Sequence, residues 1–114
     1  MHSFGKHYLV EYLNCDPELI SKADRVEESL LEAVEKSDAT YIGHEAFQFQ
    51  PHGASCIVLI SQSHMSIHTW PDHEYAAVDI FTCGNNLNVD KAIDLIQEKL
   101  GAAEKVVRVY DRGF

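Results

Sequence analysis

The sequence predicts an α/β (α+β) protein built as a two-layer sandwich: a mostly antiparallel sheet with two helices on one face. Three observations predict it. Strand-like and helix-like runs follow one another as β-α-β-β-β-β-α-β. The two helical runs are amphipathic, so each needs a sheet to cover its apolar stripe. The chain has 114 residues, of which 46% are hydrophobic, enough for one compact domain over residues 1–114 with its own core.

Each element has a local reason. His7 to Leu13 reads as a strand. Asp16 offers an N-cap with Pro17 at the first helical position, which suits its fixed φ. Leu19, Ile20, Ala23, Val26, Leu30, Leu31 and Val34 then recur at helical spacing, predicting one long helix to about Ser37. Thr40 to Gln50 is a second strand, and Pro51-His52-Gly53 is a turn. Ser55 to Gln62 carries the apolar run Cys56-Ile57-Val58-Leu59-Ile60. Met65 to Trp70 alternates: His64, Ser66, His68 and Trp70 share one face, and Met65, Ile67 and Thr69 the other. After the turn Pro71-Asp72-His73, Glu74 to Thr82 forms another strand. Asn88 caps a second helix with the apolar face Val89, Ala92, Ile93, Ile96 and Leu100, and Gly101 ends it. Val106 to Tyr110 is the last strand. With both helices on one face, the other face is left to line a site or a dimer interface.

Composition narrows the function. The formal charge of −9 argues against nucleic acid, whose phosphates need clustered Lys and Arg, and is compatible with a small cationic ligand. No apolar run approaches the ~20 residues of a membrane helix. The N-terminal stretch lacks the long apolar segment of a secretory signal, so no membrane association and a cytoplasmic location are expected. The three cysteines, Cys15, Cys56 and Cys83, form no CxxC pair, and the histidines lack metal-ligand spacing; no metal site is expected.

The chemistry-bearing residues cluster in two runs. Gln62-Ser63-His64-Met65-Ser66-Ile67-His68-Thr69-Trp70-Pro71 holds an internal serine and a histidine five residues on. Ala76-Ala77-Val78-Asp79-Ile80-Phe81-Thr82-Cys83-Gly84 ends in a cysteine. Singly, each residue also has an ordinary reading. Ser63 suits a turn, His68 a satisfied polar position on a strand, and Cys83 simple packing. There is no G-x-S-x-G elbow.

Together, the two runs closely resemble the signature of prokaryotic S-adenosylmethionine decarboxylase proenzymes. Gly5-Lys6-His7, Cys15-Asp16 and Pro51-His52-Gly53-Ala54-Ser55 extend the resemblance over roughly residues 3–110. It implies self-cleavage between Gln62 and Ser63 into a β chain of residues 1–62 and an α chain of residues 63–114. Ser63 would become a pyruvoyl group, the sole cofactor, with neither PLP nor a metal. In processing, His68 matches the residue that takes the α-proton and Ser55 one that assists. Cys83 matches the catalytic acid.

A pyruvoyl carbonyl would form a Schiff base with the substrate amine and delocalise the charge left by decarboxylation. Cys83, as a thiol acid, would then protonate the substrate carbon. Phe49 and His68 would sandwich the adenine, Trp70 shares the His68 face, and Asp72 would bind the ribose hydroxyls. For Phe49 and Trp70, core packing is the plain alternative.

Two departures stand out: Gln62 and Asp72 replace a usual Glu. The acyl shift uses the backbone carbonyl of residue 62, so an amide side chain need not block it. The resemblance further implies a homodimer of processed protomers acting on a small cationic substrate, in the route to spermidine. Two alternatives stay open: decarboxylation of L-ornithine or L-arginine, or an unprocessed, non-catalytic homologue.

Overall fold

A computed structural model describes residues 4–83 and 86–113. Met1 to Ser3, Gly84 at the end of the second motif, Asn85 and Phe114 lie outside the described residues. The elements run β1 (Gly5–Leu13), α1 (Pro17–Ile20), α2 (Ala23–Lys36), β2 (Tyr41–Gln48), β3 (Ala54–Ile60), β4 (Ser63–Trp70), a 3-10 turn (Pro71–His73), β5 (Tyr75–Thr82), α3 (Val89–Leu100) and β6 (Glu104–Arg112). The strands form one sheet in the order β2-β3-β4-β5-β1-β6, with every neighbouring pair antiparallel. The expected two-layer α+β architecture is what the chain adopts. Among the described residues no helix is long and apolar enough to cross a membrane.

The core lies between the sheet and the helices. Val10, Tyr12, Val58, Met65, Ile67, Val78 and Ile80 meet Ile20, Val26, Leu30, Ile93, Ile96 and Leu100 there. Along β4, Met65, Ile67 and Thr69 are buried and His68 and Trp70 exposed, as expected, while on the same outer face Ser66 is buried and His64 half-buried. Tyr12 keeps its buried hydroxyl satisfied by donating to the Ile93 carbonyl at 2.6 Å, which ties β1 to α3.

The predicted long first helix is broken. Lys22 is extended (φ −106, ψ 132), so α1 and α2 are separate and the helices among the described residues number three rather than two. The cause lies elsewhere in the chain. The Ser21 carbonyl, which a continuous helix would give to Arg25, instead accepts from the Gly53 N–H and from Gln48 Nε2, each at 2.9 Å. Gln48 Oε1 in turn accepts the Ala23 N–H at 2.6 Å, capping α2 where Lys22 offers no acceptor. Elsewhere the boundaries move by a few residues. The start of β4 extends back to Ser63, and Ser61 and Gln62 form the turn before it.

Among the described residues, no helix covers the second sheet face. Phe47, Ile57, Leu59, Trp70 and Tyr110 are all between 45% and 61% exposed on it. That is an unusually apolar surface for a domain of this size.

Candidate active site

The residues singled out from sequence fall into two groups, at opposite ends of β4. At the start of β4, Ser63 pairs with Thr82 in the register, which puts Cys83 beside the Gln62–Ser63 peptide. The Gln62 carbonyl accepts the Cys83 backbone N–H at 2.9 Å. Ser63 holds φ 147, a conformation that L residues rarely adopt. Gln62 is buried, and its Oε1 accepts the Thr40 N–H at 3.2 Å while Ser61 N–H donates to the Thr40 carbonyl at 2.9 Å. An amide makes this contact without burying a charge, which accounts for Gln62 in this environment. The Cys83 side chain is exposed and free.

Next to Ser63 stands a residue the sequence reading did not assign. His64 Nδ1 lies 3.4 Å from Ser63 Oγ. Its ring is packed edge-on to Phe81 (centroids 5.9 Å) and to His7 (6.4 Å). Burial, and secondarily His7, push its pKa below 6.5, with Asp79 pulling the other way. His7 is itself oriented: Arg112 donates to its Nδ1 at 3.2 Å. Its Nε2 stands 3.3 Å from Asp79 Oδ1, within ion-pair range but too poorly aligned for a hydrogen bond.

At the other end of β4, Ser55 and His68 are paired across β3 and β4, with Ser55 Oγ 2.7 Å from His68 Nδ1. They line a cleft of about 340 Å³ that also gathers Phe49, Trp70 and Asp72. All four substrate-binding candidates therefore share one cavity. Trp70 stacks on Tyr75 at 5.3 Å and lies 6.4 Å from the His68 ring. Asp72 is held across the mouth by His52, whose Nε2 is 2.8 Å from Asp72 Oδ1. His52 was quoted from sequence only as part of a turn; its pairing with Asp72 depends on the fold.

The turn that carries the cleft is fixed tightly. Gly53 has φ +107, and a Cβ there would come within 3.1 Å of the Thr69 carbonyl oxygen. Phe49 N–H donates to the Gly53 carbonyl at 2.8 Å. Gln48 Nε2 donates to both the Phe49 and Gly53 carbonyls, at 3.0 and 2.9 Å.

Within one chain, the two groups do not meet. Five residues of strand separate Ser63 from His68, about 17 Å at the usual rise. The joint Ser63, His68 and Cys83 pattern thus resolves into a Ser63–Cys83 end and a Ser55–His68 end.

Fold and site together define a class: a two-layer α/β domain whose open sheet face has reactive side chains at each end of one central strand. The family model for S-adenosylmethionine decarboxylase matches residues 6–113. An S-adenosylmethionine decarboxylase proenzyme from Pyrococcus horikoshii is 40% identical over 113 residues, spanning 99% of this chain and 81% of the relative. One from Thermosipho africanus is 38% identical over 99% of this chain and 87% of its own. The crystal structure of adenosylmethionine decarboxylase from Aquifex aeolicus superimposes with TM-score 0.92 at 37% identity, covering 100% of this chain and 94% of that one. A Trypanosoma brucei AdoMetDC monomer shares the fold at TM-score 0.68 and 18% identity, with 45% of its chain covered. The chain belongs to the S-adenosylmethionine decarboxylase family, as the sequence motifs indicated.

Proposed function

We propose that this chain is a self-processing decarboxylase of S-adenosylmethionine that works as a homodimer and carries a pyruvoyl group made from Ser63. The observation that carries the reading is the Gln62–Ser63 peptide, with φ 147 at Ser63 and the Gln62 carbonyl oxygen on the Cys83 N–H. Attack of the Ser63 hydroxyl on the Gln62 carbonyl carbon converts that amide into an ester. The Cys83 N–H stands where negative charge develops on the Gln62 oxygen. Loss of the Ser63 α-proton then expels the Gln62 carboxylate, and hydrolysis of the residue left at 63 releases ammonia. The Ser63 position fits the group, because Ser63 already holds a rarely adopted φ and the carbonyl it would attack is already bound by the Cys83 N–H.

The α-proton is taken by His68, and its own chain's His68 is too far away. A two-fold axis between two open sheet faces, crossing β4 near Met65 and Ser66, brings the Ser55–His68 end of one copy onto the Ser63–Cys83 end of the other. The exposed apolar side chains of that face support such a contact. A pyruvoyl carbonyl at residue 63 supplies an electron sink for loss of carbon dioxide. Phe49 and His68 hold the adenine, Trp70 closes the same wall, Asp72 takes the ribose hydroxyls, and the Cys83 thiol delivers the proton to the substrate carbon.

The test is intact mass under denaturing conditions after cyanoborohydride treatment with S-adenosylmethionine, ornithine or arginine supplied separately. Fragments 1–62 and 63–114, and a substrate adduct on the second from S-adenosylmethionine alone, are expected. An adduct from ornithine or arginine instead would reassign the substrate. A chain that stays whole would overturn the reading.

A further inference from the structure

We propose that His64 is the general base for the first step of self-processing, taking the proton from Ser63 Oγ as that oxygen attacks the Gln62 carbonyl carbon. The inference rests on the self-processing reading above and deepens it. Two proton transfers are needed before the chain is cut, at different atoms. His68 is assigned to the second, at the α-carbon, and lies about 17 Å along the strand from Ser63 in its own chain. The first transfer has no partner in that assignment. His64 Nδ1 stands 3.4 Å from Ser63 Oγ. Hydrogen bonds of this kind are often long before the reacting geometry is reached.

The atoms balance within one chain. The Oγ–C bond forms and the C–N bond of the Gln62–Ser63 peptide breaks. The proton passes from Oγ to His64 Nδ1 and on to the departing nitrogen of residue 63. No other reagent is consumed.

The surroundings suit a base. The charged or titratable groups near His64 are His7 from β1, Asp79 from β5 and Arg112 from β6, and Leu59 faces it in the register from β3. Arg112 donates to the His7 Nδ1, which orients that ring, and the His7 Nε2 faces Asp79. Partial burial disfavours the charged form of His64, so it is unprotonated and able to accept at neutral pH.

The placement has a consequence for which chain does what. The acyl shift uses Ser63, His64 and the Cys83 N–H of one chain, whereas the elimination uses His68 of the other copy.

The experiment follows freshly translated wild-type, His64→Ala, His64→Gln and His68→Ala chains over time, with half of each sample treated with neutral hydroxylamine. An unshifted chain is whole and resists hydroxylamine, an ester is whole but is split by it, and a processed chain is already cut. Both His64 variants are expected to process about 10²–10⁴ times more slowly than wild type, to stay resistant, and to be speeded by added imidazole in the alanine case. His68→Ala is expected to accumulate the hydroxylamine-labile ester. Circular dichroism and thermal melts matching the wild type tie the His64 result to chemistry; the imidazole response does so independently.

His64 variants that cut within about threefold of the wild-type rate, or that build up labile ester, would overturn the proposal. In co-expressed mixtures, His68→Ala chains should be cut and His64→Ala chains should remain whole. Cutting of the His64→Ala chain there would also overturn it. If neither chain is cut in the mixture while the single variants behave as expected, the two-chain arrangement fails and the role of His64 stands. A wild-type chain that never cuts would overturn the pyruvoyl reading and this inference together.

Discussion

Replacing Gln48 by alanine tests how the cleft is anchored. This one side chain reaches four backbone groups: it accepts the Ala23 N–H at 2.6 Å, and the two hydrogens of its Nε2 are shared among the carbonyls of Ser21, Phe49 and Gly53 at 2.9–3.0 Å. The carbonyls do not all lose their partners when it is removed. Ser21 O keeps the Gly53 N–H, and Gly53 O keeps the Phe49 N–H. The Ala23 N–H loses its cap, because Lys22 supplies none. That loss resembles removal of an N-cap, about 1 kcal/mol. The weakened donor bonds add roughly 1–2 kcal/mol. The expected destabilisation is about 2–3 kcal/mol in urea titration.

At about 4 °C per kcal/mol, Tm should fall by about 8–12 °C. Gln48→Glu separates two explanations. It retains an acceptor for Ala23 and puts a negative charge at a helix N-terminus, which by itself stabilises. It also turns a carboxylate oxygen toward three carbonyls. The clamp therefore predicts Gln48→Glu to be as unstable as Gln48→Ala. Wild-type stability in Gln48→Glu, or a loss under about 0.5 kcal/mol in Gln48→Ala, would refute the reasoning.

Cys83→Ala should still cut at residue 62, since its contact with the Gln62 carbonyl is through the backbone, while carbon dioxide release from S-adenosylmethionine falls about 10²–10⁴-fold; gel mobility and radiolabelled carbon dioxide read the two separately. Ile57→Glu, on the open face at 48% exposure, should yield monomers in sedimentation experiments and leave the chain whole but hydroxylamine-labile, because in the proposed dimer the eliminating His68 belongs to the other copy. Cys15 and Cys56 are each pushed up to about 11 by burial, from 9.0. Their folded values are raised, so the stability they contribute is fully present below pH 9 and is lost as pH rises toward 11; the urea midpoint should be flat at pH 7–8.5 and decline above it. In the native protein at pH 8, iodoacetamide should modify Cys83 well ahead of both buried thiols.

The element order and the sidedness of β4 were legible because they depend on near neighbours. Period-2 alternation separated Met65, Ile67 and Thr69 from His64, His68 and Trp70, and the caps Asp16 and Asn88 mark their helices. The break at Lys22 was not legible. Leu19 to Val34 reads as one continuous apolar stripe, and the interruption is imposed by Gln48 and Gly53 from the far side of β2. The motif identified the family, yet it grouped Ser63 with His68 when five residues of extended chain keep them apart. Ser63 stood before the predicted Met65–Trp70 run, so the separation emerges only once β4 is seen to begin at Ser63. His52 and His64 stood within the quoted motifs. Their partners, Asp72 and Ser63, emerge only from the turn and from the distorted start of β4.

The strand order has a further consequence. Cleavage after Gln62 would leave β1, β2 and β3 on one polypeptide and β4, β5 and β6 on the other. The contacts β3–β4, β5–β1 and β1–β6 would then all join separate molecules, with β1 inserted between two strands of its counterpart. The pieces could not drift apart by parting along one seam; the sheet would have to come open in three places at once. Before the cut, each protomer unfolds to a single chain. Afterwards it would release two species, so the melting point would rise with protein concentration and refolding would become a second-order search between halves that never had to find each other the first time. A catalyst made in this way would be assembled once, as a single thread, and would afterwards owe its persistence to slow unfolding more than to its capacity to reform.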